Sequence, residues 1–309
     1  MSDLLNVSSG PHVRSKSTTG MIMFIVIIAL LPATGYGIYH FGINAAILVL
    51  TCVASAVLSE LAYNLIMKQP VTIGDLSAVV TGLLLALNLP STATWWMGVL
   101  GSVFAIIVVK MIFGGIGQNF MNPALGARCF LMISFAARMT DFNYDGMTQA
   151  TPLALIKSGN TVIVRDMIIG NIPGTIGETS VVAIVLGACI MLAFGIIDLK
   201  IPATYLATFV IFMGLFAGRG WDMNYLVAEL AGGGLMLGAF FMATDYATSP
   251  ITDMGKIVYG ICLGVITGIF RCFSSSAEGV SFAIIFCNLL VPLIEKATLP
   301  KCFGKGGEA

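Results

Sequence analysis

The residues best placed to do chemistry lie near the midpoint of the 309-residue chain. The stretch Asp145-Gly146-Met147-Thr148-Gln149-Ala150-Thr151-Pro152-Leu153 sits in the longest polar interval of an otherwise apolar sequence. Asp-Gly reads as a turn. A residue before proline is pushed out of the α region, so Thr151 should be extended with its hydroxyl projecting. Pro152 to Lys157 can then form a short helix, ended by Ser158-Gly159. Two chemistries fit a hydroxyl placed there. One is an ordinary N-cap, in which the threonine oxygen accepts a backbone N–H. The other is a modified hydroxyl carrying a phosphate, since free N–H groups and the macrodipole at a helix start favour an anion. Spacing alone does not choose between them.

The elements that must position this stretch are set by composition. The chain is 58% hydrophobic and 10% charged, with 35 glycines and 17 methionines, and its mean hydropathy is +0.97. A soluble domain carries far more charge, so an all-α polytopic membrane protein is expected. Zero net charge gives no polybasic case for nucleic acid. The seven cysteines contain no C-x-x-C pair, which argues against a disulfide framework or an iron–sulfur site, and His12 and His40 alone make no haem or metal case. The polar residues 1–20 precede an apolar run from Met21 without a clean cleavage site, so the first span is read as uncleaved.

A bilayer core asks for about 20 apolar residues per helix. Runs of that kind lie near 21–39, 43–67, 75–90, 94–113 and 124–138, and again near 178–197, 202–218, 225–243, 255–272 and 279–295. This predicts about ten transmembrane helices. The expected organisation is a cytoplasmic tail (1–20), a first five-helix repeat (21–138), a polar loop (139–177), a second five-helix repeat (178–296) and a cytoplasmic tail (297–309). With both termini inside, ten basic residues fall on the inner side (Arg14, Lys16, Lys68, Lys110, Arg128, Lys200, Lys256, Lys296, Lys301, Lys305). Five fall outside (Arg138, Lys157, Arg165, Arg219, Arg271). That asymmetry sets the orientation and puts Thr151 on the extracytoplasmic face. Residues 75–87 parallel 229–241 at an offset of 154, half the chain, and at that offset Gly101 meets Gly255 and Gly114 meets Gly268. Five spans per half would invert the two repeats in the membrane.

Thr148-Gln149-Ala150-Thr151-Pro152-Leu153 resembles the Ser/Thr-Gly-Ala-Thr flavinylation motif of the NqrB/RnfD family, and the hydrophobic plan of the whole chain is similar too. Gln149 stands where glycine is common. In that family the last threonine bonds FMN through a phosphoester, so the resemblance implies a covalent FMN on Thr151, with Asp145, Gly146 and Thr148 as neighbours in the loop. It also implies a flavin transferase during maturation, and the other subunits of an Rnf-type complex as partners. Such complexes couple ferredoxin oxidation and NAD reduction to movement of Na⁺ or H⁺. The chain alone would not complete that cycle. A second, noncovalent flavin is left open.

Other residues have competing readings. Asn119, Asn122 and Pro123 fall in a glycine-rich turn that should break a helix. They either cap the next helix or form a backbone cavity for an isoalloxazine ring, with Arg128 one turn on near the membrane surface. Thr244 to Pro250 is the equivalent loop in the second half, where Asp245 is expected to be a solvated cap. Asp75 and Glu229 begin the third and eighth spans. They are either helix caps stabilised by the dipole or repeat-related acids on an ion path. Trp95, Trp96 and Trp221 suit interfacial anchoring. Composition and repeats fit equally a small-solute channel or transporter of inverted-repeat type without flavin.

Overall fold

In the computed structural model, residues 18–144, 147, 148, 150–274 and 279–300 are described. Asp145, Gly146 and Gln149, expected near the site, lie outside them. The chain enters with the Thr18 hydroxyl accepting the Met21 N–H at 3.3 Å, the N-cap of α1 (Thr19–Phe41). Gly42, at φ 74°, turns the chain back into α2 (Ile43–Ile66). Both helices are apolar on nearly every side, as expected where the surroundings are lipid or other helices rather than water.

Among the described residues, four helices are long and apolar enough to cross a membrane: α1, α2, α13 (Asp253–Phe273) and α14 (Val280–Thr298). A fifth crossing is available to α11 (Met223–Ala231) and α12 (Leu235–Met242) taken together, bent by 62°. The other apolar helices are shorter: α3 (Ser77–Leu87), α4 (Trp95–Met111), α5 (Pro123–Ser134), α9 (Val181–Ala193) and α10 (Lys200–Phe216). At 1.5 Å per residue, α3 spans roughly 16 Å, about half of a bilayer core. Ten runs of full span length are therefore not what the chain forms. Breaks interrupt them, and each break has a local cause.

In the first half a 3₁₀ turn, Ile73–Asp75, ends at Leu76, which is left-handed at φ 61°, and α3 starts immediately after. In the second half α11 stops at Gly232, and Gly233 and Gly234 (φ 68° and 67°) redirect the chain into α12. Leu76 and Gly234 are separated by the same number of residues as Thr94 and Thr252, the N-caps of α4 and α13. This separation is longer than the offset of 154 read from sequence. It pairs the two breaks and leaves Asp75 and Glu229 at non-equivalent positions.

The helices pack as α1 on α9, α2 on α3 and α4, and α10 on α13, which continues onto α14. The α10–α13 seam depends on Gly260, Gly264 and Gly268, spaced one turn apart against Thr204, Thr208 and Phe212. Small residues let backbones approach closely, which is how membrane helices associate when lipid is as apolar as leucine. Gly187 plays the same part between α9 and α1: a Cβ there would sit 2.0 Å from the Ala29 carbonyl oxygen.

The interval 139–177 is more structured than a polar loop. It holds the last residue of α6 (Ala136–Met139), a two-residue hairpin of β1 (Asn143–Tyr144) with β2 (Met147–Thr148), then α7 (Pro152–Lys157) and α8 (Val164–Ile169). Its end then dives inward. Residues 172–180 are all buried, with the Ile176 N–H donating to Leu89 O at 3.0 Å and the Gly177 N–H to Leu87 O at 2.8 Å. This extended segment occupies the space beyond the end of α3 and satisfies carbonyls that the short helix leaves open.

Candidate functional site

Thr151 is extended (φ −60°, ψ 151°) as its place before proline requires. Its Oγ1 accepts the Ala154 N–H at 3.4 Å, a long bond, and its carbonyl accepts the Leu155 N–H at 3.0 Å. The residue is 8% exposed, while Ala150 before it is exposed. Thr151 is thus a buried N-cap beside an exposed residue, and its oxygen is held by one long contact. Thr148 is in β2, paired with Asn143 across the hairpin.

Packing against α11 fixes α7. Leu153 and Ile156 are buried, and a Cβ on Gly232 would lie 3.0 Å from Leu153 Cδ1 and 3.0 Å from Met167 Cε. Glycine at the α11–α12 break is what lets α7 lie so close. The far end of α7 meets cations. Arg219 donates to the Ile156 carbonyl at 2.9 Å, and Lys157 donates to the Ser274 carbonyl. A guanidinium on the last carbonyls of a helix is favoured by the dipole.

Two buried ion pairs hold the breaks. At the first, Lys110 Nζ lies 2.7 Å from Glu60 Oε2 and donates to Ser77 Oγ at 2.6 Å; Glu60 is 0% exposed. Thr72 Oγ1 donates to the other Glu60 oxygen at 2.6 Å, and Asn64 donates to Thr72 Oγ1 at 3.1 Å. At the second, Arg271 Nη1 lies 2.8 Å from Glu229 Oε2 and donates to its backbone carbonyl, while Nη2 donates to Gly232 O at 2.7 Å. In both halves a cation near the end of the long helix that follows the break, α4 or α13, reaches back to it. Lys110 lies in a π-helical stretch, Phe104–Met111, which alters the turn and so the direction of the side chain.

The remaining expected residues separate from Thr151. Asn122 caps α5, accepting from Ala124 and Leu125 at 3.1 and 3.3 Å. With Asn119, Ser77, Thr81, Lys110 and Asp245 it also lines a cavity of about 100 Å³ between α1, α3, the start of α5 and the 244–247 loop. Arg128 is not near a surface. It is buried within α5 and donates to Asn88 Oδ1 and Ser281 Oγ, both at 3.0 Å, bridging the end of α3 to the start of α14. Asp245 does cap its loop, through Ala247 N and Thr248 Oγ1 at 3.4 Å. It does so from the cavity wall, where burial raises its carboxyl above the usual 3.8. Asp75 caps α3, accepting from Ser77 N at 2.9 Å and Ser77 Oγ at 2.6 Å. Glu229 is not at a helix start; it lies in the last turn of α11, committed to Arg271.

Sequence reasoning missed Glu60 and Glu178. Glu60 had a signal, an acid inside an apolar run, which in a membrane marks a constrained group. Glu178, buried and accepting from Thr175 Oγ1 at 3.0 Å, was concealed by the polar reading of its neighbourhood.

Long apolar helices, half-length broken helices and ion pairs buried among them define a multi-pass membrane protein. The model of the NQR2, RnfD, RnfE family matches residues 6–304, and the chain belongs to that family. It is 47% identical to the D subunit of the Na(+)-translocating ferredoxin:NAD(+) oxidoreductase complex of Acetobacterium woodii, over 97% of this chain and 95% of that protein. It is 36% identical to the D subunit of the proton-translocating ferredoxin:NAD(+) oxidoreductase complex of Clostridium ljungdahlii, over 98% and 97%. It is 32% identical to the D subunit of the ion-translocating oxidoreductase complex of Erwinia tasmaniensis, over 96% and 98%.

Proposed function

We propose that the chain is the membrane subunit of an ion-translocating ferredoxin:NAD⁺ oxidoreductase, carrying electrons through an FMN bonded to Thr151. The observation that carries this reading is the Thr151 hydroxyl, buried next to exposed Ala150 and holding one long hydrogen bond, in a Thr-Gln-Ala-Thr-Pro stretch. Full-length similarity to subunits bearing that name supports it. The Oγ1 would displace a nucleoside monophosphate from the FMN phosphorus of a flavin dinucleotide held by a flavin transferase, its proton passing to a base as the new P–O bond forms and the diphosphate bond breaks. The helix start behind it offers the N–H of Ala154 to the anion. The flavin supplies one- and two-electron chemistry, while the chain sets its position and potential. Na⁺ or H⁺ would move as electrons pass, within a complex of further membrane subunits.

The architecture we propose is two inverted five-span halves, with both termini cytoplasmic and 139–177 outside. The paired breaks before α3 and α12 support it. So does the charge asymmetry: setting aside buried Lys110, Arg128 and Arg271 leaves eight basic residues inside against four outside. The cavity at Asn119 and Asn122 is the candidate for a second, noncovalent flavin. Asp75 and Glu229 stand as ion-pathway candidates. A solute transporter of the same architecture is the competing class, and it needs no flavin. Thr151→Ala tests the choice: fluorescence of the denatured band on a gel should vanish. Fluorescence that persists at unchanged peptide mass would remove the assignment.

A further inference from the structure

Against α7, lined by Leu153, Ile156 and Lys157, is a second cavity of about 200 Å³ between α7 and the ends of α10, α11 and α13. Among the described residues its lining includes Lys157, Arg219, Arg271 and Glu229. Three of the fifteen basic residues of the chain therefore meet in one small space. Glu229 is taken by Arg271. Arg271, 6% exposed, still has an Nε with no hydrogen-bond partner, an unfilled demand for an acceptor in a buried place. Arg219 lies over the Tyr225 ring at 5.2 Å and spends one amino group on Ile156 O, leaving the rest of its planar fork for an anion.

The mouth of the cavity has the opposite character. Phe216 and Phe273, at the ends of α10 and α13, line it and are 60% and 74% exposed. Leu215 beside them is 63% exposed. Phe216 and Phe273 end two apolar helices. Trp221, 60% exposed, follows on the same turn as an interfacial residue would. One buried guanidinium, Arg271, with the exposed cations Arg219 and Lys157 beside an apolar rim at a helix end, suits a molecule with an anionic phosphate head and hydrocarbon tails.

We propose that this cavity binds the phosphate headgroup of an anionic phospholipid, with Arg219 and Arg271 as its ligands and Phe216 and Phe273 against its chains. The proposal does not depend on the flavin at Thr151. Hydrogen bonds between a guanidinium and a phosphate are charge-assisted and stronger than neutral ones, so loss of one partner should weaken binding by roughly tenfold or more.

The test uses the assembled complex in nanodiscs of phosphatidylcholine doped with spin-labelled phosphatidylglycerol. Wild type should immobilise a fraction of the label, Arg219→Gln should reduce its affinity about tenfold, and Arg219→Lys should restore part of it. Phe273→Ser, which leaves the cations in place, should also lower retention. Inorganic phosphate should compete poorly; full displacement by phosphate alone would reassign the site to a free anion and overturn the lipid source. Equal immobilisation in wild type and Arg219→Gln, in assemblies of normal composition, would overturn the site itself.

Discussion

Glu60→Gln isolates what the first break costs to hold. Glu60 and Lys110 are buried at 0% and 3% exposure and 2.7 Å apart, and the carboxylate also accepts from Thr72. Glutamine keeps the volume and an oxygen for Thr72, but it leaves the Lys110 ammonium without a counter-charge. Breaking one side of a buried pair costs about 3–5 kcal/mol, because the remaining charge is uncompensated. With roughly 2–4 °C of melting temperature per kcal/mol for a protein near this size, the expected fall is about 6–20 °C. Removing both charges in Glu60→Gln/Lys110→Met should recover most of it, since a well-packed apolar replacement of an ion pair is often neutral or better. Intrinsic fluorescence from Trp95, Trp96 and Trp221 during heating in detergent reports the transition. A single variant within about 1 kcal/mol of wild type, by the same conversion, would refute the reasoning. A double variant no better than the single would do the same.

Gly187→Ala should separate α1 from α9 and destabilise the chain by about 1–3 kcal/mol, because its Cβ would meet the Ala29 carbonyl oxygen; unchanged melting would contradict the close packing. Burial raises the folded Asp245 carboxyl above 3.8, so the folded chain binds that proton more tightly than the unfolded one. Stability should therefore fall as pH rises from 3.8 through the raised value, and Asp245→Asn should flatten that part of the melting profile. Asp75→Asn keeps an oxygen for the Ser77 N–H, so it should leave stability nearly unchanged and lower ion-coupled electron transfer; normal transport would reduce Asp75 to a cap. Glu229→Gln tests a path less cleanly, since it also breaks the pair with Arg271. A cysteine at Ser158, in a cysteine-free background, should react with an impermeant thiol reagent in intact cells; labelling only after lysis would reverse the topology.

How much of this was legible depended on whether a local residue type decided the outcome. The helices α1, α2, α13 and α14 follow from apolar runs near 20 residues, and the Thr151 N-cap follows from its place before Pro152. The break at Gly232–Gly234 had a glycine signal. The break at Leu76 had none, because an ordinary leucine occupies the left-handed position there, at φ 61°. Asp75 and Glu229 looked equivalent at an offset of 154, yet one precedes α3 and the other lies in the last turn of α11. Arg128 sounded like a surface residue, yet Asn88 and Ser281, far away in sequence, accept its hydrogen bonds inside the bundle. The buried residues 172–177 read as loop because the backbone N–H groups of Ile176 and Gly177 are satisfied by carbonyls at the buried end of α3, a partner that only the fold brings near.

The central claim is the flavin bond at Thr151, and the intact mass of the membrane-purified chain tests it most directly. The account predicts a mass above that of the polypeptide by one FMN less one water, lost in Thr151→Ala. An unmodified mass for wild type, purified from cells that contain the flavin transferase, would contradict it.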